Sequence, residues 1–173
     1  MTRIRNREAA DLDGCVQALT AVYQGGSYPT NWPADPARWL SPPDTIRAWV
    51  AETAATGEKA ASEQPPIAGH VLLTQPPARP PDENPATGNA AEIGRLFVVP
   101  ATRRQGIAAA LLGETMRWAR ANDRDLVLYV TDHLQAARAL YQRLGFRLAA
   151  TTRADWTTPD GQPVTLLRYA WSS

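Results

Sequence analysis

The stretch Leu96-Phe-Val-Val-Pro-Ala-Thr-Arg-Arg-Gln-Gly-Ile-Ala108 decides the reading of this chain. An apolar run ends at Pro100, a short basic loop carries Arg103 and Arg104, and an Ala- and Leu-rich segment begins after Gly106. This is a strand, a tight turn and a helix start. Amides in the first turn of a helix have no intrahelical acceptor and sit at the positive end of the helix dipole. They form an anion site, above all where a glycine lets the ligand approach the backbone. An ordinary strand-to-helix turn with solvated arginines fits the same residues. Gly106 is the loop's only glycine, so neither a Walker loop nor the dinucleotide glycine pattern is present.

Downstream of this turn, the sequence predicts a helix over Ile107–Asn122, a strand over Leu126–Thr131 and a helix over His133–Leu144. Two closing strands, Phe146–Arg153 and Val164–Trp171, turn around Pro159-Asp160-Gly161. Together with a strand at Glu92–Val99, this order calls for parallel pairing of the Glu92 and Leu126 strands and antiparallel pairing of the closing ones. Upstream, Thr2–Arg5 reads as a strand. Ala9–Tyr23 reads as a helix, because Leu12, Val16, Leu19 and Val22 recur at steps of three or four, and Gly25-Gly26 stops it. The segment from Ser27 to Pro43 is a loop with a short helix around Pro36–Leu40. Its aromatic residues Tyr28, Trp32 and Trp39 either line a ligand pocket or cap the core. Ile46–Glu52 and Ile67–Thr74 are strands joined by a polar loop with Gly57 and Pro65-Pro66. The proline-rich Gln75–Asn89 segment reads as a mobile insertion. The fold class is α/β, with a mixed sheet flanked by helices, and residues 1–173 form one domain without internal repeats.

The chain has 173 residues, 44% hydrophobic and 20% charged, which suits one globular domain with a sizeable core. A net charge of +1 supplies no cationic field, so nucleic acid and anionic membranes are not expected partners. The single Cys15 excludes an internal disulfide framework and a cysteine-cluster zinc site. No signal-peptide stretch or membrane span is legible, which leads to an expectation of a cytoplasmic protein.

The segment Arg103-x-x-Gly106-x-Ala108, following Leu96-Phe-Val-Val-Pro100, resembles the acyl-CoA signature of the GNAT superfamily of acyl-CoA-dependent N-acetyltransferases. A second segment, Ala139-Leu-Tyr-Gln-Arg-Leu-Gly-Phe146, resembles that family's later helix-to-strand passage. The resemblance implies a GNAT-like sheet, mostly antiparallel, with one parallel pair splayed by a bulge so that the pantetheine arm inserts like an extra strand. It implies acetyl-CoA as cosubstrate and no metal. The CoA diphosphate falls to Arg103, Arg104, Gln105, Gly106, Ile107 and Ala108, and the arm to Leu96, Phe97 and Val98. The Val98 amide would hold the thioester oxygen, and Tyr141 would protonate the departing thiolate. Taken by itself, Tyr141 reads as a packed core tyrosine. The family often carries an asparagine seven residues before the tyrosine, and this chain has Leu134 there.

An ammonium acceptor must lose a proton before it attacks, and a carboxylate in a partly dry cleft removes it. Glu92 matches the place where some family members carry a glutamate base; a solvated strand-end charge is the plain alternative. His70 alternates with apolar neighbours and reads first as a structural histidine, with water or His70 as other routes for the proton. His133 sits where it would cap a helix. Tyr28 and Trp32 are the expected acceptor contacts, with Trp156 near the closing turn. The expected function is transfer of an acetyl group to a primary amine, on a small molecule or a peptide, by direct attack in a ternary complex. A non-catalytic acyl-CoA sensor of the same fold is the alternative, and an interaction module using exposed tryptophans and the proline-rich segment is a more distant one. Acceptor identity and the choice between monomer and homodimer are not legible. Trp171 fits either a dimer contact or the core.

Overall fold

A computed structural model describes residues 2–26, 28–53, 66–76 and 89–173. The expectations for the Gly57–Pro65 loop, and for all but the ends of the Gln75–Asn89 segment, lie outside these residues.

The chain begins with β1 (Thr2–Asn6), a 3-10 turn at Ala9–Asp11, and α1 (Leu12–Gln24). The turn is closed reciprocally: the Glu8 amide donates to Asp11 Oδ2 at 2.6 Å and the Asp11 amide to the Glu8 carbonyl at 3.1 Å, while the Asp11 carboxylate also accepts from both Nη atoms of Arg5. Arg5 also reaches Glu52 at 2.6 Å, so one cation ties the start of α1 to the neighbouring strand. Of the predicted stripe on α1, Leu19 and Val22 are buried and Leu12 and Val16 pack partly buried against the same cluster, with Cys15 and Ala18 buried beside them. Asp35 caps α2 (Pro36–Leu40), accepting from the Arg38 amide at 2.9 Å. Proline at the first helical position loses no hydrogen bond there.

The strands β2 (Thr45–Thr53), β3 (Ile67–Thr74) and β4 (Ala90–Val98) follow, then α3 (Ile107–Ala121), β5 (Asp125–Thr131), α4 (Gln135–Arg143), β6 (Arg147–Thr157) and β7 (Pro163–Trp171). Gly145, at φ 91°, ends α4: its amide bonds the Gln142 carbonyl and that of Phe146 the Tyr141 carbonyl, each at 3.0 Å. The expected start of this helix at His133 moves to Gln135, and no side chain caps it. His133 is exposed and serves no cap.

The seven strands form one sheet in the order β1-β2-β3-β4-β5-β7-β6. Every neighbouring pair is antiparallel except β4 and β5, which are parallel. The face under α3 and α4 holds the larger core, including Ala91, Ile93, Leu111, Leu128, Tyr141, Tyr169 and Trp171. Trp171 is therefore core. The other face, under α1 and α2, packs Cys15, Leu19, Leu40, Val50 and Phe97.

Candidate active site

The parallel pairing is short. Only Ala90–Ile93 are in register with Asp125–Leu128, and beyond that point β4 and β5 part. The reason lies on the other edge of β4, where His70 opposes Phe97 but Leu72 opposes Gly94. Two residues of β3 thus span three of β4, a bulge that bends the strand. Arg95 supplies it with a left-handed φ of 53°. The bulge also shifts the strand's alternation. Ala91 and Ile93 face the larger core before it, and Leu96 and Val98 pack against the same core after it.

Backbone direction follows. The Val99 amide donates to the Ala68 carbonyl of β3 at 2.8 Å. Amides alternate sides along a strand, so the Val98 amide faces the edge from which β5 has parted. The chain then runs through a 3-10 turn, Pro100–Thr102, into a loop in which Arg104 and Gly106 are both left-handed, at φ 62° and 78°. The Ala110 amide bonds the Gly106 carbonyl at 2.9 Å, opening α3 and leaving the amides of its first turn without helical acceptors. A Cβ built on Gly106 would meet nothing within 4 Å. The loop is an open cradle of backbone donors with arginines at its rim, and its donor set fits a diphosphate.

Tyr141 is 8% exposed and packs among Phe146 and Tyr169, with ring centroids 6.1 Å away in each case. Burial pushes its pKa well above the usual phenol value, and the Tyr28 phenol adds to the effect. Tyr28 is itself raised by burial to about 12 and pulled back slightly by Arg95. The two phenols belong to one electrostatic environment, although they come from opposite faces of the sheet. The Tyr169 hydroxyl is buried with no hydrogen-bond partner among the described residues. Leu134, at the expected asparagine position, packs against the larger core. Its amide bonds the Thr131 carbonyl at 3.2 Å, and Arg138 holds the Asp132 carbonyl at 3.0 Å.

Glu92 lies in the paired part of β4, opposite Val127 and one residue before the strands part. With Ala91 and Ile93 facing α3, alternation turns Glu92 toward the α1 and α2 face. On that face the Arg95 guanidinium lies 4.4 Å over the Trp39 ring, and its Nε donates to the Trp39 carbonyl at 3.3 Å. Trp39 meets Tyr28 with ring centroids 5.8 Å apart. Trp32 is 37% exposed and packs on Tyr23. Its neighbour Asn31 donates to the Thr157 carbonyl at 3.3 Å, joining the α1–α2 segment to the far end of β6 beside the exposed Trp156.

His70 is removed as a base. It is fully buried, its Nδ1 lies 2.9 Å from the Arg95 carbonyl, and its Nε2 lies 3.0 Å from Arg7 Nη1. A carbonyl only accepts and a guanidinium only donates, so Nδ1 carries the proton and the Nε2 lone pair is already engaged by Arg7. Burial lowers its pKa to about 3, outweighing the Arg95 hydrogen bond. The imidazole is a strut under the bulge, with its ring stacked on Phe97. The structural reading of His70 agrees with this placement; its position under the bulge and the part played by Arg95 were not read from the sequence, where the shift in apolar parity between Ile93 and Leu96 was the available signal. Cys15 is buried, and its thiol is raised to about 12 by desolvation, an inert group. Among the described residues no cluster of His, Cys, Asp or Glu is arranged to hold a metal, and no helix is long and apolar enough to cross a membrane.

A mixed sheet with a single parallel pair, parted at a bulge beside an amide-lined turn, defines the acetyltransferase class of α/β folds. The chain belongs to the acetyltransferase (GNAT) family, whose model matches residues 16–146. No curated protein matches it by sequence. Among solved structures it resembles Arabidopsis thaliana NAA60 in complex with a bisubstrate analogue, with TM-score 0.77, 19% identity, and coverage of 100% of this chain and 99% of that one. It also resembles the Escherichia coli ribosomal-protein-S18-alanine N-acetyltransferase, at TM-score 0.70, 19% identity and coverage of 99% and 94%. An acetyltransferase of the GNAT family from Streptococcus pneumoniae aligns with TM-score 0.74 at 19% identity, covering 100% of both chains. At these identities the likeness is one of fold.

Proposed function

We propose that this protein, as one domain over residues 1–173, is an N-acetyltransferase that moves an acetyl group from acetyl-CoA to a primary amine by direct attack in a ternary complex. The observation that carries the reading is the parted β4–β5 edge, with the Val98 amide turned into the gap and the cradle at Arg104 and Gly106 beyond its end. The Arg103 amide is spent on the Pro100 carbonyl at 3.3 Å, so the amides from Arg104 to Ala108 receive the diphosphate, with the Arg103 and Arg104 side chains neutralising its charge. Leu96, Phe97 and Val98 offer the strand edge along which the pantetheine arm lies.

Glu92 takes the proton from the acceptor ammonium, directly or through a water. The freed amine attacks the acetyl carbonyl, and the Val98 amide donates to the oxygen as it gains charge, a contact stronger in the transition state than before it. Tyr141 donates its proton to the sulfur as the carbon–sulfur bond breaks, and the proton shed by the acylated nitrogen passes through solvent to restore the phenol. Burial keeps that phenol protonated, so it meets the developing thiolate as a hydrogen-bond donor first. The acceptor enters between Tyr28 and Trp32, from the face opposite α3.

Thiol release from acetyl-CoA across a panel of amines, with acetyl-CoA binding measured by calorimetry, tests the reading. Binding with amine-dependent release supports it. Binding without release for any amine points to the non-catalytic sensor, which the apolar Leu134 favours. No binding at about millimolar ligand, an affinity worth only about 4 kcal/mol, ends both.

A further inference from the structure

The acceptor face carries a cation in a place that sterics alone would give to another residue. Position 95 is left-handed, a conformation that glycine adopts without strain and that is unfavourable for a residue with a Cβ. The chain has arginine there. Its backbone is clamped: the buried His70 imidazole holds the Arg95 carbonyl at 2.9 Å, and Arg7 holds the imidazole. Arg7 is itself anchored on the Ser41 hydroxyl at 2.7 Å. The side chain is held as well, by the Trp39 ring under the guanidinium and the Trp39 carbonyl on Nε. Those contacts engage one face and one nitrogen of a group with five N–H donors. Among the described residues no carboxylate forms an ion pair with Arg95. The charge bears instead on Tyr28, which in turn bears on Tyr141.

Arg95 and Glu92 are three residues apart on one strand, roughly 10 Å between α-carbons, and both serve the α1 and α2 face. Both precede Val98 on β4, and an anionic and a cationic side chain set on one face of one strand match the two charges of a zwitterion. We infer that the acceptor is a free α-amino acid, its ammonium directed to Glu92 and its carboxylate read by Arg95. This deepens the acetyltransferase reading and rests on it. A peptide N-terminus has an amide where the amino acid has its carboxylate, so Arg95 selects against it.

The test compares matched acceptors, the free L-amino acids and their carboxamides, in wild type, Arg95→Gln and Arg95→Lys. Thiol release is followed, and acetyl-CoA affinity is measured by calorimetry in each protein. A charge-assisted contact to the carboxylate gives the acids an advantage of about 10–100-fold in kcat/KM. Arg95→Gln brings the acid-to-amide ratio to near one, and Arg95→Lys restores part of it, while acetyl-CoA affinity stays within about twofold. The inference is overturned if wild type does not prefer acids, if Arg95→Gln lowers both series equally, or if no free amino acid is acetylated by protein that binds acetyl-CoA. In each of those cases the acetyltransferase reading survives. Failure to bind acetyl-CoA at all defeats that reading, and this inference with it.

Discussion

The buried imidazole under the β4 bulge makes a prediction about acid stability. His70 has a pKa of about 3 in the fold against an ordinary 6.5. Between those values the unfolded imidazole binds a proton that the folded one refuses. Its contribution is therefore fully present above about pH 6.5 and is lost as pH falls toward the folded value, at about 1.4 kcal/mol per pH unit. Integrated from about pH 6.5 to about pH 4.5, this single group removes roughly 2 kcal/mol. Asp11, held low by Arg5, adds acid sensitivity only below its ordinary 3.8, so that upper window belongs to the histidine. Urea unfolding followed by tryptophan fluorescence at several pH values reads the slope directly. His70→Gln keeps one donor for the Arg95 carbonyl and one acceptor for Arg7 but does not titrate, and its slope in the window is smaller by about one proton. Equal slopes in the two proteins would mean that the imidazole titrates normally and that the strut is misassigned.

Three further outcomes are expected. Tyr141→Phe lowers turnover by about 10²–10⁴-fold, the usual range for a lost general acid, with acetyl-CoA affinity by calorimetry nearly unchanged. Gly106→Val places a branched side chain on a left-handed backbone at φ 78° and fills the open cradle; acetyl-CoA affinity falls at least about tenfold, for a loss of about 1.4 kcal/mol or more. Glu92→Gln lowers kcat/KM at neutral pH by about 10²-fold, and activity recovers as rising pH supplies free amine, so a pH–rate profile separates a base from a surface charge.

The order of the elements was legible because local chemistry marks it. Gly25-Gly26, Gly106 and Gly145 punctuate the helices, and the stripe from Leu12 to Val22 sets the buried face of α1. The turn from Arg103 to Ala108 was legible for the same reason, since its strand, its loop and its helix start are contiguous. The His70 strut was not, because its partners lie 63 and 25 residues away, and a histidine among apolar neighbours looks the same whether it bears on a bulge or only fills space. The proposed acceptor end was hidden for a similar reason. Asn31 and Thr157, which close it, are 126 residues apart, and nothing local in either segment encodes their meeting. Arg95 combined both difficulties: its left-handed backbone comes from sheet register, and its partner Trp39 comes from another element.

The most direct test of acetyl-CoA binding between β4 and β5 is a crystal structure of the protein with acetyl-CoA. The expected result is diphosphate density on the amides from Arg104 to Ala108, the thioester oxygen within hydrogen-bond distance of the Val98 amide, and the Tyr141 hydroxyl against the sulfur. Coenzyme bound elsewhere, or a phenol turned away from a sulfur seated between β4 and β5, would contradict it.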